Sequence, residues 1–202
     1  MGGPPCQAFS QLVHLVRANG YEPRFGNLIP EYERVVSEAQ PDWFLMEEVP
    51  AAPLPIAPGY IVHSYLLDNR WVGGEQSRRR RISFGTRDGR PLDIEWSPLE
   101  PVTEYEPAMS GNGFRRVNQA VLGSGDSVPV KIGSNGKVKI TFGSRQRRSL
   151  GDLLTLQGFP SDLLDDVPLT LSGKQQAIAN GVPAALGRAL ARAIKRAMEV
   201  AQ

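Results

Sequence analysis

Helical periodicity disappears between residues 88 and 143, in the middle of this 202-residue chain. Glycine, proline, serine and asparagine are frequent there, whereas the flanking segments carry apolar residues at helix or strand spacing. So long an interruption is not one more helix or strand of the surrounding fold. We therefore predict an α/β body, formed by residues 1–87 and 146–202, that carries a small β-rich insert at 88–145.

The flanking segments predict the elements of the α/β body. Residues 28–39 have helical spacing, and residues 43–46, 60–67 and 80–86 form short apolar runs that predict strands, the last two of them paired. After the insert, 150–156 and 183–201 predict helices. The last helix carries one apolar stripe, which consists of Val182, Leu186, Ala189, Leu190, Ala193, Ile194 and Ala197.

The best-defined piece of the insert is residues 128–142, which predict a β-hairpin. Apolar and polar residues alternate on both sides of Asn135-Gly136, a pair typical of a two-residue type I′ turn. One face of this hairpin is apolar, and the other carries Lys131, Lys137 and Lys139.

Composition excludes several classes of protein. The net charge of +2 is too small for a polycation, so any attraction to nucleic acid must come from local clusters such as the arginines at 78–81. One cysteine and two histidines exclude an intramolecular disulfide, a cysteine zinc cluster and a histidine-rich metal site. No apolar run approaches the ~20 residues of a membrane span, and no signal peptide is visible. We expect a cytoplasmic protein without a metal or a membrane partner.

Three segments carry residues that can do chemistry, and each also has an ordinary explanation. Cys6 lies on a loop stiffened by the two prolines before it, although a lone cysteine is more often buried and inert. Glu47 and Glu48 follow an apolar strand, where α/β folds place working groups, although solvated loop acids have the same pattern. The arginines at 78–81 alternate along a strand, or form a patch that steers phosphates.

These segments stand in the order found in the DNA cytosine-5 methyltransferases, and the chain resembles that family along nearly its whole length. Residues 2–10 (GGPPCQAFS) resemble the family's Pro-Cys nucleophile loop. Residues 44–49 (FLMEEV) resemble its Glu-Asn-Val strand end, with Glu48 in place of the asparagine. Residues 76–80 (QSRRR) match its Gln-x-Arg-x-Arg motif.

Two further segments extend the resemblance beyond the insert. Residues 156–160 (LQGFP) match the segment that follows the family's target-recognition region. Residues 179–183 (ANGVP) resemble its final Gly-Asn-Ala-Val-Pro motif, with Ala179 in place of the first glycine. The resemblance implies a partial, Rossmann-like sheet of the S-adenosylmethionine-dependent methyltransferases with a target-recognition insert.

The resemblance also implies a reaction and the residues that carry it. The family methylates C5 of a cytosine flipped out of duplex DNA, through a covalent adduct with a cysteine, which is Cys6 here. By the same resemblance Glu47 is the acid at N3, Arg80 is the cation near O2, and Arg78 supports the loop. Asn180 is expected at the edge of the cofactor, S-adenosyl-L-methionine.

Duplex DNA is the partner that the resemblance implies. The basic face of the hairpin is the natural sequence reader, and other arginines hold phosphates. The residues expected to contact DNA are Gln7, Ser10, Gln76, Lys131, Lys137 and Lys139.

The strand and glycine-rich turn with which the family holds its methyl donor have no counterpart in these 202 residues. We also expect that no strand leads into the Cys6 loop, and that the apolar stripe of the last helix lacks its partner. Three interpretations stay open. The chain is one subunit of a split methyltransferase completed by a complementing chain, a truncated copy, or an inactive DNA-binding remnant.

Overall fold

A computed structural model describes residues 1–9, 12–23, 25–76, 78–98 and 149–199, together with four short strands between residues 105 and 140. The α-helices are α1 (Leu12–Ala18), α2 (Ile29–Ala39), α3 (Leu150–Leu156), α4 (Leu171–Asn180) and α5 (Ala184–Glu199). The strands are β1 (Trp43–Glu48), β2 (Ile61–Asp68), β3 (Arg79–Thr86), β4 (Tyr105–Glu106), β5 (Arg115–Arg116), β6 (Val130–Ile132) and β7 (Val138–Ile140). Two 3-10 turns, at Cys6–Ala8 and Asn69–Val72, complete the described elements.

The centre of the molecule is a three-stranded sheet in the order β1-β3-β2. Both pairs are antiparallel, so the carboxyl end of β1 lies beside the first residues of β3 and the last residues of β2. The α/β class and the pairing of the second and third predicted strands are confirmed. The three strands of this sheet are antiparallel, so the Rossmann-like arrangement stays a prediction.

The free edge of β1 pairs with the start of the chain. Gly2 forms an isolated parallel bridge with Met46, in which Gly2 N–H donates to Leu45 O at 2.9 Å and Glu47 N–H donates to Gly2 O at 3.0 Å. A single bridging residue, and not a strand, therefore precedes the Cys6 loop in the described structure. Extended backbone at Gly2 satisfies an otherwise open sheet edge.

Helix α2 covers one face of the sheet. Asn27 Oδ1 accepts a hydrogen bond from Ile29 N–H at 3.0 Å where the helix begins, and Gln40, at φ 47°, ends it in the left-handed region. The tyrosine side chain of this helix fastens it to the sheet, because Tyr32 Oη donates to Leu45 O at 2.8 Å. Ile29 packs with Met46 in one cluster, and a second cluster joins the helix to Phe44.

Helix α5 covers the opposite face of the sheet, and this corrects an expectation from the sequence. Three residues of its apolar stripe are fully or almost fully buried: Leu186 at 0 %, Leu190 at 4 % and Ala193 at 0 % exposure. They pack in one cluster with Leu45, Leu67, Ile82 and Phe84 of the sheet. The stripe therefore does not lack a partner, because alternate residues of β1 and β3 face the two helices in turn.

Helices α3 and α4 form a smaller unit whose ends are capped by side chains. Ser149 and Asp152 form a capping box at the start of α3, and Thr170 Oγ1 accepts from Gly173 N–H at 3.2 Å at the start of α4. Gln157, buried after α3, donates from Nε2 to Ile178 O at 2.7 Å. Helix α3 is confirmed at its predicted bounds, whereas α1 and α4 were not predicted, because neither segment has a strong apolar stripe.

The predicted insert is described only in part. Leu92 and Ile94 are buried in the same cluster as the α5 face, so residues 88–98 pack on the main body. Strands β6 and β7 confirm the hairpin, with Ile132 paired to Val138. The predicted type I′ turn at Asn135-Gly136 lies outside the described residues.

None of the described helices is long and apolar enough to cross a membrane.

Candidate functional site

Two parallel segments bring the cysteine loop and the acidic strand end to the same edge of the sheet. The chain runs from its bridge at Gly2 into the 3-10 turn Cys6–Ala8, and β1 ends beside it at Glu47 and Glu48. Because neighbouring parallel segments end on the same side, the thiol and the carboxyl groups lie close together. Cys6 is partly buried there as a free thiol.

A close ion pair joins the strand end to the arginine motif. Glu47 Oε1 lies 2.7 Å from Arg80 Nε, and both side chains are largely shielded, at 17 % and 11 % exposure. Arg78 lies deeper, at 2 % exposure, and burial together with the charge of Arg80 lowers its pKa to about 10. The Arg78 guanidinium therefore keeps its charge at neutral pH.

The electrostatic surroundings of Cys6 favour the neutral thiol. Burial raises the pKa of the Cys6 thiol, and the negative charges of Glu48 and Glu47 raise it further. Arg80 opposes them, because its positive charge lowers the pKa of Cys6. Cys6, Glu47, Arg78 and Arg80 thus form one electrostatic cluster, as the interaction of Arg78 with both Glu47 and Cys6 also shows. The cluster joins all the residues that the resemblance implied for the chemistry.

Glu48, the neighbour of Glu47, has a different environment. It is 1 % exposed, and burial raises its pKa to about 7. Its Oε2 accepts a hydrogen bond from Val49 N–H at 2.9 Å, whereas its buried Oε1 has no hydrogen-bond partner among the described residues. The sequence pattern missed this burial, because a polar pair at a strand end is ordinarily exposed.

The glycine before the two prolines is a functional position that sequence reasoning also missed. A Cβ at Gly3 would lie 3.2 Å from Glu47 O and 3.3 Å from Glu47 Oε2. A side chain here would be crowded, because the strand end or the carboxyl group would have to move by a few tenths of an ångström to admit it. The Gly-Gly pair in the sequence was the available signal.

The nucleophile loop and the arginine motif contain three residues predicted to contact DNA, and these differ in their surroundings. Gln7 Oε1 accepts a hydrogen bond from Phe25 N–H at 3.2 Å, so this side chain holds the following loop. Gln76 is fully buried, and it can meet DNA only if its segment opens. Ser10 lies outside the described residues.

The remaining residues predicted to contact DNA or the cofactor are distant in sequence from the thiol cluster. Lys131 and Lys139 are directly paired across β6 and β7, which places both positions on one face of the hairpin, while Lys137 lies outside the described residues. Asn180 is exposed at the last residue of α4. Their contacts with DNA or with a cofactor stay predictions.

Comparison with known proteins agrees with the motifs. Residues 1–53, which contain Cys6 and Glu47, match the model of the C-5 cytosine-specific DNA methylase family. Among the curated relatives, the type II methyltransferase M1.HphI of Haemophilus parahaemolyticus is 25 % identical over 96 % of this chain and 67 % of its own length.

Two other relatives match about half of the chain. The orphan methyltransferase M.SPRI of Bacillus phage SPR is 29 % identical over 48 % of this chain and 24 % of its own length. The type II methyltransferase M.HgiDI of Herpetosiphon aurantiacus is 31 % identical over 46 % of this chain and 32 % of its own length. The chain spans about two thirds of the first relative and a third or less of these two.

These matches show that the chain is similar to DNA methyltransferases. More particularly, residues 1–53 are similar to the C-5 cytosine-specific DNA methylase family.

Proposed function

We propose that this chain supplies the nucleophile and the ring-activating groups for methylation of cytosine C5 in DNA. The observation that carries the proposal is the cluster of Cys6, Glu47, Arg78 and Arg80 at one edge of the sheet, with the Glu47–Arg80 ion pair at 2.7 Å. A thiol, an acid and a buried cation meet there within a few side chains of one another. The family match over residues 1–53 supports the assignment.

The chemistry follows from the weakness of cytosine C5 as a nucleophile. The Cys6 thiolate bonds to C6, the displaced electron pair passes into the ring, and C5 becomes enamine-like. Glu47 places a proton at N3, and the Arg80 guanidinium stabilises charge at O2, so the two groups that pair in the free protein act on neighbouring ring atoms. C5 takes the methyl group, loses its proton, and releases the thiolate as the S–C6 bond breaks.

The target base must leave the duplex to reach Cys6, because C6 is covered by stacking inside the helix. We assign the holding of the DNA to the basic face of the β6–β7 hairpin and to the loop residues Gln7 and Ser10. The paired positions of Lys131 and Lys139 support this, since adjacent lysines attract neighbouring phosphates. Residues 88–145 are then the target-recognition part, and 1–87 with 146–202 the catalytic part.

This chain supplies few of the residues that would bind the methyl donor. S-adenosyl-L-methionine supplies the methyl group on a positively charged sulfur. The residues offered toward it are few, with Asn180 at the exposed end of α4 as the assigned one. We infer that a donor-binding segment of the Rossmann-like type completes the site, either in a longer polypeptide or in a complementing chain. Restriction-modification is the setting that the type II relatives favour.

Exchange of the C5 hydrogen tests the role of Cys6 without any donor. Addition of the thiolate at C6 lets C5 take a proton from water, so reversal releases the original hydrogen. DNA labelled with tritium at cytosine C5 should therefore lose tritium to water in the presence of the chain, at mildly alkaline pH where the thiolate forms. Cys6→Ser should abolish the release, since a serine hydroxyl does not ionise near neutral pH.

DNA binding serves as the control, because Cys6→Ser should leave the dissociation constant nearly unchanged. Tritium release that is equal in the serine variant would remove Cys6 from the reaction. Binding of DNA by the wild-type chain with no tritium release would favour the inactive DNA-binding remnant.

A further inference from the structure

The two carboxyl groups at the end of β1 point to opposite faces of the sheet. Glu47 lies on the α5 side with Arg80, whereas Glu48 follows Phe44 and Met46 along the α2 side. Phe44 is 2 % and Met46 0 % exposed, so Glu48 continues an apolar row at 1 % exposure. A carboxylate in such a row is costly unless a cation or several donors accompany it.

The cations nearest to Glu48 are already occupied. Arg80 is committed to Glu47, and its Nη1 also donates to Arg79 O at 2.8 Å. Arg81 is the cross-strand neighbour of Glu48, but it turns away and donates to Pro50 O at 2.8 Å and Ser64 Oγ at 3.0 Å. No ion pair to Glu48 is present among the described residues.

The remaining titratable groups around Glu48 do not supply a counter-charge. Tyr32, on the covering helix α2, donates its hydroxyl to Leu45 O, and burial raises its pKa to about 12, so it stays neutral. Arg78 acts on Glu47 and Cys6. Cys6 itself gains only negative charge when it ionises. Among the charged neighbours, Arg80 alone favours the charged form of Glu48, and burial together with the charge of Glu47 outweighs it.

We propose that Glu48 is a positioning residue whose ionisation above neutral pH places a second negative charge next to Cys6, and that below neutral pH it is held in its protonated, neutral form. Its two oxygens fit this form, because Oε2 accepts from Val49 N–H like a carbonyl and Oε1 is free to carry the proton. The burial that raises the pKa of Glu48 to about 7 supports the same form. This proposal rests on the proposed function of Cys6 but concerns its proton chemistry alone.

Ionisation of Glu48 makes the pKa of the Cys6 thiol depend on pH. As pH rises through about 7, Glu48 loses its proton, and its charge then raises the pKa of the nearby Cys6 thiol. Thiolate formation is thus delayed to higher pH than Cys6 would need beside a neutral group. A substitution that keeps position 48 neutral removes this delay.

Thiol alkylation measures the effect directly, because Cys6 is the single cysteine of the chain. The rate of reaction with iodoacetamide is recorded against pH for the wild-type chain and for Glu48→Gln. We expect the alkylation profile of Glu48→Gln to shift to lower pH, with severalfold faster reaction at mildly alkaline pH. Glu38→Gln, an exposed change of the same kind on α2, should leave the profile in place.

An unchanged profile in a folded Glu48→Gln variant would overturn the proposal. If that variant fails to fold, the wild-type chain still decides, through the ¹³C resonance of the glutamate side-chain carboxyl carbons. One glutamate should titrate near pH 7, and a chain in which all of them titrate in the ordinary acidic range would also overturn the proposal. Neither measurement uses DNA or donor, so a failed tritium release with a shifted profile would remove the proposed function alone.

Discussion

At the scale of single residues, the adjacent carboxyl groups of Glu47 and Glu48 lie in different electrostatic environments. Glu47 lies 2.7 Å from the Arg80 guanidinium, while Glu48 is buried with no ion pair among the described residues. One residue of displacement along a strand reverses the face and therefore the electrostatic environment. The motif position that is asparagine in the family holds Glu48 here, and a neutral carboxylic acid keeps one acceptor and one donor, as an amide does.

Glu48→Gln should stabilise the protein at neutral and alkaline pH. The pKa of Glu48 rises from 4.5 to about 7 on folding, so the folded state binds the proton more tightly, and the free energy of unfolding falls as pH rises from 4.5 to about 7. Glutamine has no such loss. We expect the variant to gain roughly 2–4 kcal/mol relative to wild type above pH 7, and nothing below the unfolded pKa.

Urea unfolding at several pH values checks this expectation, with Glu38→Gln as the exposed control. A stability difference between Glu48→Gln and wild type that does not change with pH would mean that Glu48 is not protonated on folding.

At the scale of elements, helices α2 and α5 pack on opposite faces of the three-stranded sheet. Helix α2 packs on Phe44 and Met46, and α5 packs on Leu45 and Phe84. The apolar stripe of α5 is thus part of the core on the face of the sheet that carries Glu47 and Arg80. A stripe that is amphipathic in sequence does not reveal which surface covers it.

Leu190→Glu should unfold the chain or destabilise it strongly. Leu190 is 4 % exposed in the α5 cluster, and a charge placed there without a partner costs on the order of 3 kcal/mol or more. The midpoint of urea unfolding measures the loss. Ala191→Glu puts the same charge on the exposed side of the helix and should change the midpoint little. Improved solubility with unchanged stability in Leu190→Glu would mean that α5 is not part of this core.

The β6–β7 hairpin carries the prediction about DNA. Replacing Lys131, Lys137 and Lys139 with alanine should weaken DNA binding and flatten its dependence on salt. Each lost phosphate contact should reduce the slope of log K against log salt by roughly 0.9. Binding measured by fluorescence anisotropy at several salt concentrations gives the slope, and Lys174→Ala, on α4, is the control. A slope that is unchanged in the triple variant would place the DNA on another surface.

At the scale of the whole molecule, the proposed cytosine-activating groups form one cluster, whereas Asn180 is the single residue assigned to the proposed donor site. The alignment to M1.HphI covers 96 % of the chain but 67 % of that relative. In the proposed reaction, addition to the ring and delivery of the methyl group are separable requirements, and the first needs only the residues gathered at one edge of the sheet.

A polypeptide of residues 1–202 should therefore exchange the C5 hydrogen of cytosine but transfer no methyl group by itself. Placement of the donor against the base supplies much of the rate of such a reaction, and that placement needs a donor-binding segment. Incubation with DNA and S-adenosylmethionine labelled in the methyl group measures transfer, with tritium release in the same sample as the control. Robust incorporation of label by this polypeptide alone would show that it binds the donor without assistance.

Local pattern was sufficient to predict much of this protein. Spacing predicts the helix at Ile29–Ala39, the strands at Trp43–Glu48 and Arg79–Thr86 and the hairpin of β6 and β7. Short motifs around Cys6 and Glu47 indicate the similarity to the C-5 cytosine-specific DNA methylase family over residues 1–53. Spacing and motifs are properties of neighbouring residues, so they can be read without knowing the fold.

Tertiary structure alone decided the environment of those residues. The bridge from Gly2 to β1, the cover over Leu186 and the burial of Glu48 each depend on segments that are distant in sequence. Burial sets the cost of a charge, and the faces of the sheet determine which charges meet. Whether Glu48 is a solvated acid or a neutral group beside Cys6 was therefore decided by packing, since both states have the same sequence.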